Sequence, residues 1–219
     1  MSQTNLDLSL YLVIGRADTV GRDLLQVLEA ALSGGVTLVQ LREKGLTGAS
    51  LVTLGRTVKA VTDRFAVPLI VNDRVEEALA IGAAGVHLGQ SDLDPILARQ
   101  KLGPQAILGL SAGYPREAAQ APGDAVDYLG TGPFAATRSK ADARAPIGAE
   151  GIAAVRAATQ LPIVAIGGLD TGSAASAIAA GADGVAVVSA IAGADDPASA
   201  ARSLSHAIAE AKKARSLRN

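Results

Sequence analysis

The chain has 219 residues, 49% of them hydrophobic and 19% charged, which is the composition of a folded globular chain rather than a disordered one. Lys and Arg number 20 against 21 Asp and Glu, a formal charge of −1, and two Phe, three Tyr and no Trp offer neither a basic nor a stacking surface to nucleic acid. With no Cys and only His87 and His206, disulfides, thiolate metal sites, a Cys nucleophile and a multi-histidine metal centre are excluded.

The first apolar run follows no basic stretch and closes at Gly15-Arg16, so no secretory leader is expected and the chain is expected in the cytoplasm. From there, short β-branched runs alternate with helical patterns. A strand over Leu10–Ile14 precedes a helix over Gly21–Ser33, Leu38–Leu41 precedes Ser50–Phe65, and Leu69–Val71 precedes Val75–Ile81. Gly85–Leu88 leads to Asp94–Leu102, and Ala106–Leu110 to Arg116–Ala121. Ala125–Leu129 leads to Glu150–Thr159, Ile163–Ile166 to Gly172–Ala180, and Val185–Val188 to Pro197–Lys213. The apolar stretch Ala174 to Ala194 is broken by Asp183 and several glycines, so no membrane span is expected.

Eight strands, each followed by a helix, predict a parallel sheet with right-handed crossovers. In a chain of this length they predict a single (β/α)8 TIM barrel over residues 1–219, with an open doubly wound sheet as the alternative. An internal echo supports the barrel: Gly82-Ala-Ala-Gly85 and Gly181-Ala-Asp-Gly184 each turn from a helix directly into a strand. Val67-Pro68 and Leu161-Pro162 place Pro where a strand begins and a missing N–H costs least.

Barrel enzymes build their sites from the loops after the strands. Here those positions are polar: Gln40 to Lys44, Asn72-Asp73, Gln90-Ser91-Asp92, Ser111, Thr137-Arg138-Ser139-Lys140, Gly167-Gly168 and Ser189. Asp73 and Asp92 can hold Mg²⁺, which takes one or two protein carboxylates and completes its shell from water and phosphate. Arg42, Lys44 and Lys140 can neutralise the same phosphates, Arg by bidentate contact and Lys as a point charge. Gly167-Gly168 and the helix start after the eighth strand can present backbone N–H groups to a second phosphate. Each residue also has a plain structural reading: helix caps for Asp73, Asp92, Ser111 and Ser189, solvated loop charges for Arg138 and Lys140, a packed imidazole for His87. Their convergence at one end of one barrel favours a site.

The segments Gln40-Leu-Arg-Glu-Lys44, Val71-Asn-Asp-Arg74, Gly85-Val-His-Leu-Gly-Gln-Ser-Asp92, Asp127-Tyr-Leu-Gly130 with Gly132-Pro133, Ala165-Ile-Gly-Gly168 and Ala182-Asp-Gly-Val185 with Val188-Ser-Ala-Ile191 resemble the thiamine-phosphate synthase family across nearly the whole chain. The resemblance implies a Mg²⁺-dependent transferase with small-molecule substrates. It would join 4-amino-2-methyl-5-hydroxymethylpyrimidine diphosphate to a thiazole phosphate, giving thiamine phosphate and diphosphate. It implies pyrimidine-diphosphate contacts at Gln40, Leu41, Arg42, Glu43, Lys44, Asn72, Ser111 and Lys140, with Lys140, Ser111 and Arg42 acting in the chemical step. Thiazole-phosphate contacts fall on Thr137, Arg138, Ser139, Gly168, Val188 and Ser189, and metal ligands on Asp73 and Asp92. Two stretches depart from the family pattern: Phe134-Ala135-Ala136, where a bulkier Ile-Phe-Pro is usual, and Ile14-Gly15, where a Thr-Asp pair is common. A thiazole tautomerase of the same barrel type and a non-catalytic phosphometabolite-binding barrel are the competing readings. The sequence carries no signal for oligomeric state.

Overall fold

A computed structural model describes residues 6–137 and 144–217. Its eight strands pair in parallel and in sequence order, and the last returns to the first to close the barrel. They are β1 (Leu10–Ile14), β2 (Leu38–Leu41), β3 (Leu69–Asn72), β4 (Gly85–Leu88), β5 (Ile107–Ser111), β6 (Tyr128–Thr131), β7 (Ile163–Ile166) and β8 (Gly184–Val187). Among the described residues the helices are α1 (Leu24–Ser33), α2 (Gly48–Arg64), α3 (Val75–Ile81), α4 (Pro95–Leu102), α5 (Pro115–Ala119), α6 (Gly148–Ala158), α7 (Thr171–Ala179), α8 (Ser189–Ala192) and α9 (Pro197–Ser216). No described helix is long and apolar enough to cross a membrane.

Alternation along each strand sorts the side chains into two cores. Tyr11, Val13, Leu38, Ile70, Tyr128, Val164 and Ala186 fill the barrel interior. Leu12, Val39, Leu41, Val86, Leu108, Leu129, Ile163 and Val185 point outward, where they meet Leu28, Val58, Ala78, Ala98, Ala177 and Ala201 on the helices. The alanines let the helices lie close on the sheet, and each buried Leu or Ile contributes about 1.5–3 kcal/mol by leaving water.

Strands β1, β2, β4 and β7 and helix α3 have the bounds that the sequence pattern predicts. The sixth strand differs most, since it starts at Tyr128 and not Ala125. A turn carries Ala125 and Val126, whose N–H groups both donate to the Pro122 carbonyl. Asp127 then accepts from the Leu108 amide and Arg99 through its side chain, so pairing begins one residue later. Asp183 repeats this device before β8, accepting from the Ile163 amide. The first helix starts at Leu24 rather than Gly21, because a 3₁₀ turn over Arg16–Thr19 precedes it and Asp23 caps it through the Leu25 and Gln26 amides. β3 and β5 run on to Asn72 and Ser111, which brings both residues into the top layer of the barrel.

Candidate active site

The β2 exit is held from below. The Arg42 amide donates to the Ile14 carbonyl, and Gly15 lies so close to the Arg42 carbonyl that a side chain there would collide with it. Glu43 turns toward this first loop, where its carboxylate accepts from the Arg16 backbone amide and faces the Arg16 guanidinium at 3.6 Å. The Ile14-Gly15 departure thus has a local reason: without a side chain, loop one can clasp the Gln40–Lys44 segment. Gln40 is buried inside the barrel, Leu41 packs outward, Arg42 and Glu43 are half-buried and Lys44 is exposed. Leu41, Glu43 and Lys44 line a recess of about 250 Å³ with Asn72, Asp73 and Arg74.

Asp73 and Asp92 come together although 18 residues separate them. Asp73 follows β3 in a left-handed conformation (φ 62°), and its amide donates to the His87 carbonyl, which extends the β3–β4 ladder. Asp92 is set by the Gly89 amide, which donates to its carboxylate at 2.6 Å. Partial burial and the carboxyl group of Asp92, in hydrogen-bonding contact, push the Asp73 carboxyl up to about 6, opposed by a hydrogen bond from Asn72 and the charge of Arg42. A pair of carboxyls this close favours a cation between them. Among the described residues no three His, Cys, Asp or Glu side chains converge, so the described part of the mouth brings two hard oxygen ligands together. Such a donor set fits Mg²⁺, which takes one or two protein carboxylates and keeps water and substrate phosphate in its shell.

Below this pair, Ser111 Oγ meets His87 Nε2 at 3.0 Å, and Gln90 donates to the Ser111 carbonyl at 2.6 Å. His87 Nδ1 lies 3.0 Å from the Tyr128 hydroxyl, which meets the Tyr11 hydroxyl at 2.9 Å, and Gln40 donates to Tyr11 at 2.6 Å. Gly109 and Gly130 make room for this row: a methyl at Gly109 would overlap the Tyr128 ring, and one at Gly130 would sit 2.8 Å from His87 Cε1. His87 and Tyr128 lie inside the Gly85–Asp92 and Asp127–Gly130 motifs, where the sequence reads His87 only as a packed imidazole and gives Tyr128 no role, and Tyr11 lies in no motif. Their one signal is inward register on strands whose neighbours carry glycine.

On the other side of the mouth, Phe134 and Ala135 donate backbone N–H groups to Ile166 and Gly167. Gly168 has φ 67°, and a methyl there would approach the Ala136 carbonyl oxygen to 2.6 Å. Small residues at 135 and 136 therefore fit a chain that lies directly on the glycine turn. The α7 N-terminus is filled by its own Asp170, whose carboxylate accepts from the Ser173 amide, whereas α8 starts after Val188 with no side-chain cap. Val188 packs against the inner core, and Ser189 is exposed at the first position of α8. Thr137 is half-buried, and Arg138, Ser139 and Lys140 lie outside the described residues.

The opposite end of the barrel has a wider depression of about 1210 Å³ between the αβ turns. Among the described residues Asp127 is the one ionisable side chain that lines it, and Arg99 and the Leu108 amide already engage that carboxylate.

Residues 10–191 match the family described as thiamine monophosphate synthase. The thiamine-phosphate synthase of Moorella thermoacetica is 52% identical over 178 residues, 81% of this chain and 85% of that protein. That of Xanthobacter autotrophicus is 53% identical over 181 residues, 83% of this chain and 86% of its own. The solved structure of thiamine phosphate pyrophosphorylase from Pyrococcus furiosus superposes with a TM-score of 0.85 at 33% identity, covering 94% of this chain and 98% of that one. A 3-hexulose-6-phosphate synthase, at 17% identity and a TM-score of 0.67, shares the fold alone. The chain belongs to the thiamine monophosphate synthase family.

Proposed function

We propose that the protein joins the aminopyrimidine diphosphate to the thiazole phosphate, releasing diphosphate and thiamine phosphate, by a substitution in which the bond to the leaving group breaks first. The observation that carries this reading is the Asp73–Asp92 carboxyl pair, set beside Asn72 and Arg42 at the open end of the barrel. A tautomerase acting on one thiazole phosphate has no use for such a pair.

The aminopyrimidine ring is electron-rich, so its exocyclic CH₂–O bond can ionise to a cation delocalised into the ring. The protein's work is to stabilise the departing charge and hold the thiazole nitrogen in line. Arg42, Lys44 and Lys140 face the diphosphate, Asn72 and Gln40 orient the pyrimidine, and Ser111 donates to the leaving group. Asp73 and Asp92 would hold Mg²⁺, which when bound neutralises charge on the diphosphate. Thr137, Arg138, Ser139, the Gly168 turn, Val188 and Ser189 take the thiazole phosphate. Nitrogen attack needs no strong base, and none is assigned. We place this reaction in the cytoplasm.

Titration calorimetry with each substrate tests the reading. The pyrimidine diphosphate is expected to bind tightly with Mg²⁺ and weakly in EDTA, while the thiazole phosphate binds in either. Binding of a single phosphate ester without metal dependence would identify a non-catalytic barrel instead.

A further inference from the structure

The row of polar groups through the barrel has a direction. Gln40 Nε2 has hydrogens and no lone pair to offer, so it donates to the Tyr11 hydroxyl. Tyr11 has one hydrogen of its own, and its other partner is the Tyr128 hydroxyl. Tyr128, having accepted from Tyr11, gives its hydrogen to His87 Nδ1. An accepting Nδ1 leaves the imidazole proton on Nε2, which donates to Ser111 Oγ. The Ser111 hydrogen is then left to point outward, to the mouth. Run the other way, with Gln40 still donating, the row would make Tyr11 accept twice and leave its hydrogen unpartnered in the barrel interior. Tyr11 and Tyr128 are 2% and 0% exposed, so water offers no escape. Burial raises the pKa of both phenols, which keeps each a neutral donor.

We propose that Tyr11, Tyr128 and His87 are positioning residues that set the direction of the Ser111 hydroxyl, so that Ser111 meets the departing diphosphate as a donor and never as an acceptor. The proposal rests on the function given above, in which that diphosphate leaves next to Ser111. It assigns work to three interior side chains that touch no reacting atom. It also gives a reason for Gly109 and Gly130, whose missing side chains make room for the phenol and the imidazole.

The chain has two histidines, and His206 is exposed on α9, so ¹⁵N labelling of histidine reads His87 with an internal reference. The metal-free protein at neutral pH is expected to show His87 as the Nε2–H tautomer. Tyr128→Phe removes the donor to Nδ1. It is expected to convert that signal to a mixture of tautomers, leave His206 unchanged, and lower kcat about tenfold with both KM values within about threefold of wild type. Tyr11→Phe, one link further from Ser111, is expected to act in the same direction and serves if Tyr128→Phe does not fold. An Nδ1–H tautomer in the wild type overturns the direction of the row. A changed tautomer with wild-type kcat in either variant overturns its role in the reaction. Wild-type protein that forms no thiamine phosphate from the two substrates defeats the proposed function instead, and the tautomer then stands as a fact about the barrel alone.

Discussion

Asp73 holds its carboxyl group against that of Asp92, at the point where the first left β3 in a left-handed turn and the second is fixed by the Gly89 amide. Two acids in contact are a poor arrangement for an empty fold and a good one for a cation that substrate phosphates complete. The rest of the mouth follows from where this pair sits.

The pair makes stability and metal affinity depend on pH. The folded protein raises Asp73 from 3.8 to about 6, so between these values the folded state binds more protons than the unfolded one. The associated stability is present below pH 3.8 and is lost as pH rises through about 6. Metal-free protein is therefore expected to lose more Tm between pH 4 and pH 6.5 than Asp92→Asn, which relieves the acid contact. Mg²⁺ affinity is expected to weaken about tenfold per pH unit below pH 6, because a proton must leave first. Equal slopes in both proteins would remove the coupling.

The two proposed phosphate sites should separate in kinetics. Gly168→Val places a side chain against the Ala136 carbonyl in a left-handed turn, so it is expected to raise KM for the thiazole phosphate tenfold or more. KM for the pyrimidine diphosphate should hold. Lys140→Ala is expected to lower kcat and kcat/KM together, because the charge matters most as diphosphate departs. A kinetically silent Lys140→Ala would make this lysine a solvated loop charge.

Gly109 is a packing requirement of the interior row. An added methyl meets Tyr128 and His87 together, and neither can retreat inside the barrel. Gly109→Ala is expected to cost about 2–3 kcal/mol, or roughly 5–10 °C in Tm for a chain of this size. Gly123→Ala meets nothing within 4 Å and should change stability by less than about 1 kcal/mol. Thermal melts of the two variants check the contrast.

Bond breaking before attack makes the rate sensitive to the ring's electrons. Replacing the pyrimidine 2-methyl by trifluoromethyl is expected to slow single-turnover chemistry by orders of magnitude, with little change in shape. A rate within about twofold of the natural substrate would indicate associative displacement, in which the thiazole supplies most of the push.

Much of the barrel is legible in the sequence because its signals are local. Leu10–Ile14 and Ile163–Ile166 are apolar runs bounded by polar, glycine or proline residues, Leu38–Leu41 is such a run interrupted only by Gln40, and the strands end where the runs do. The shift at β6 is not legible, because Asp127 uses its side chain on Leu108 and Arg99, partners that only the closed sheet brings near. The helix start after the eighth strand is legible at Ser189, but the extent of α8 is not, because four residues are too few to show a helical period. The charged parts of the mouth are legible as polar residues following strands. The row from Gln40 to Ser111 is not, since its links join residues 24 to 117 positions apart across five strands.

The most direct test of the account is product formation by the purified protein given both substrates and Mg²⁺, followed as thiamine phosphate. The account predicts steady turnover in the wild type, loss on adding EDTA, recovery on restoring Mg²⁺, and a fall of at least about a hundredfold in Asp73→Ala with the fold intact. Undiminished turnover in EDTA or in Asp73→Ala would contradict the place given to the carboxyl pair, and no thiamine phosphate from the wild type would contradict the function itself.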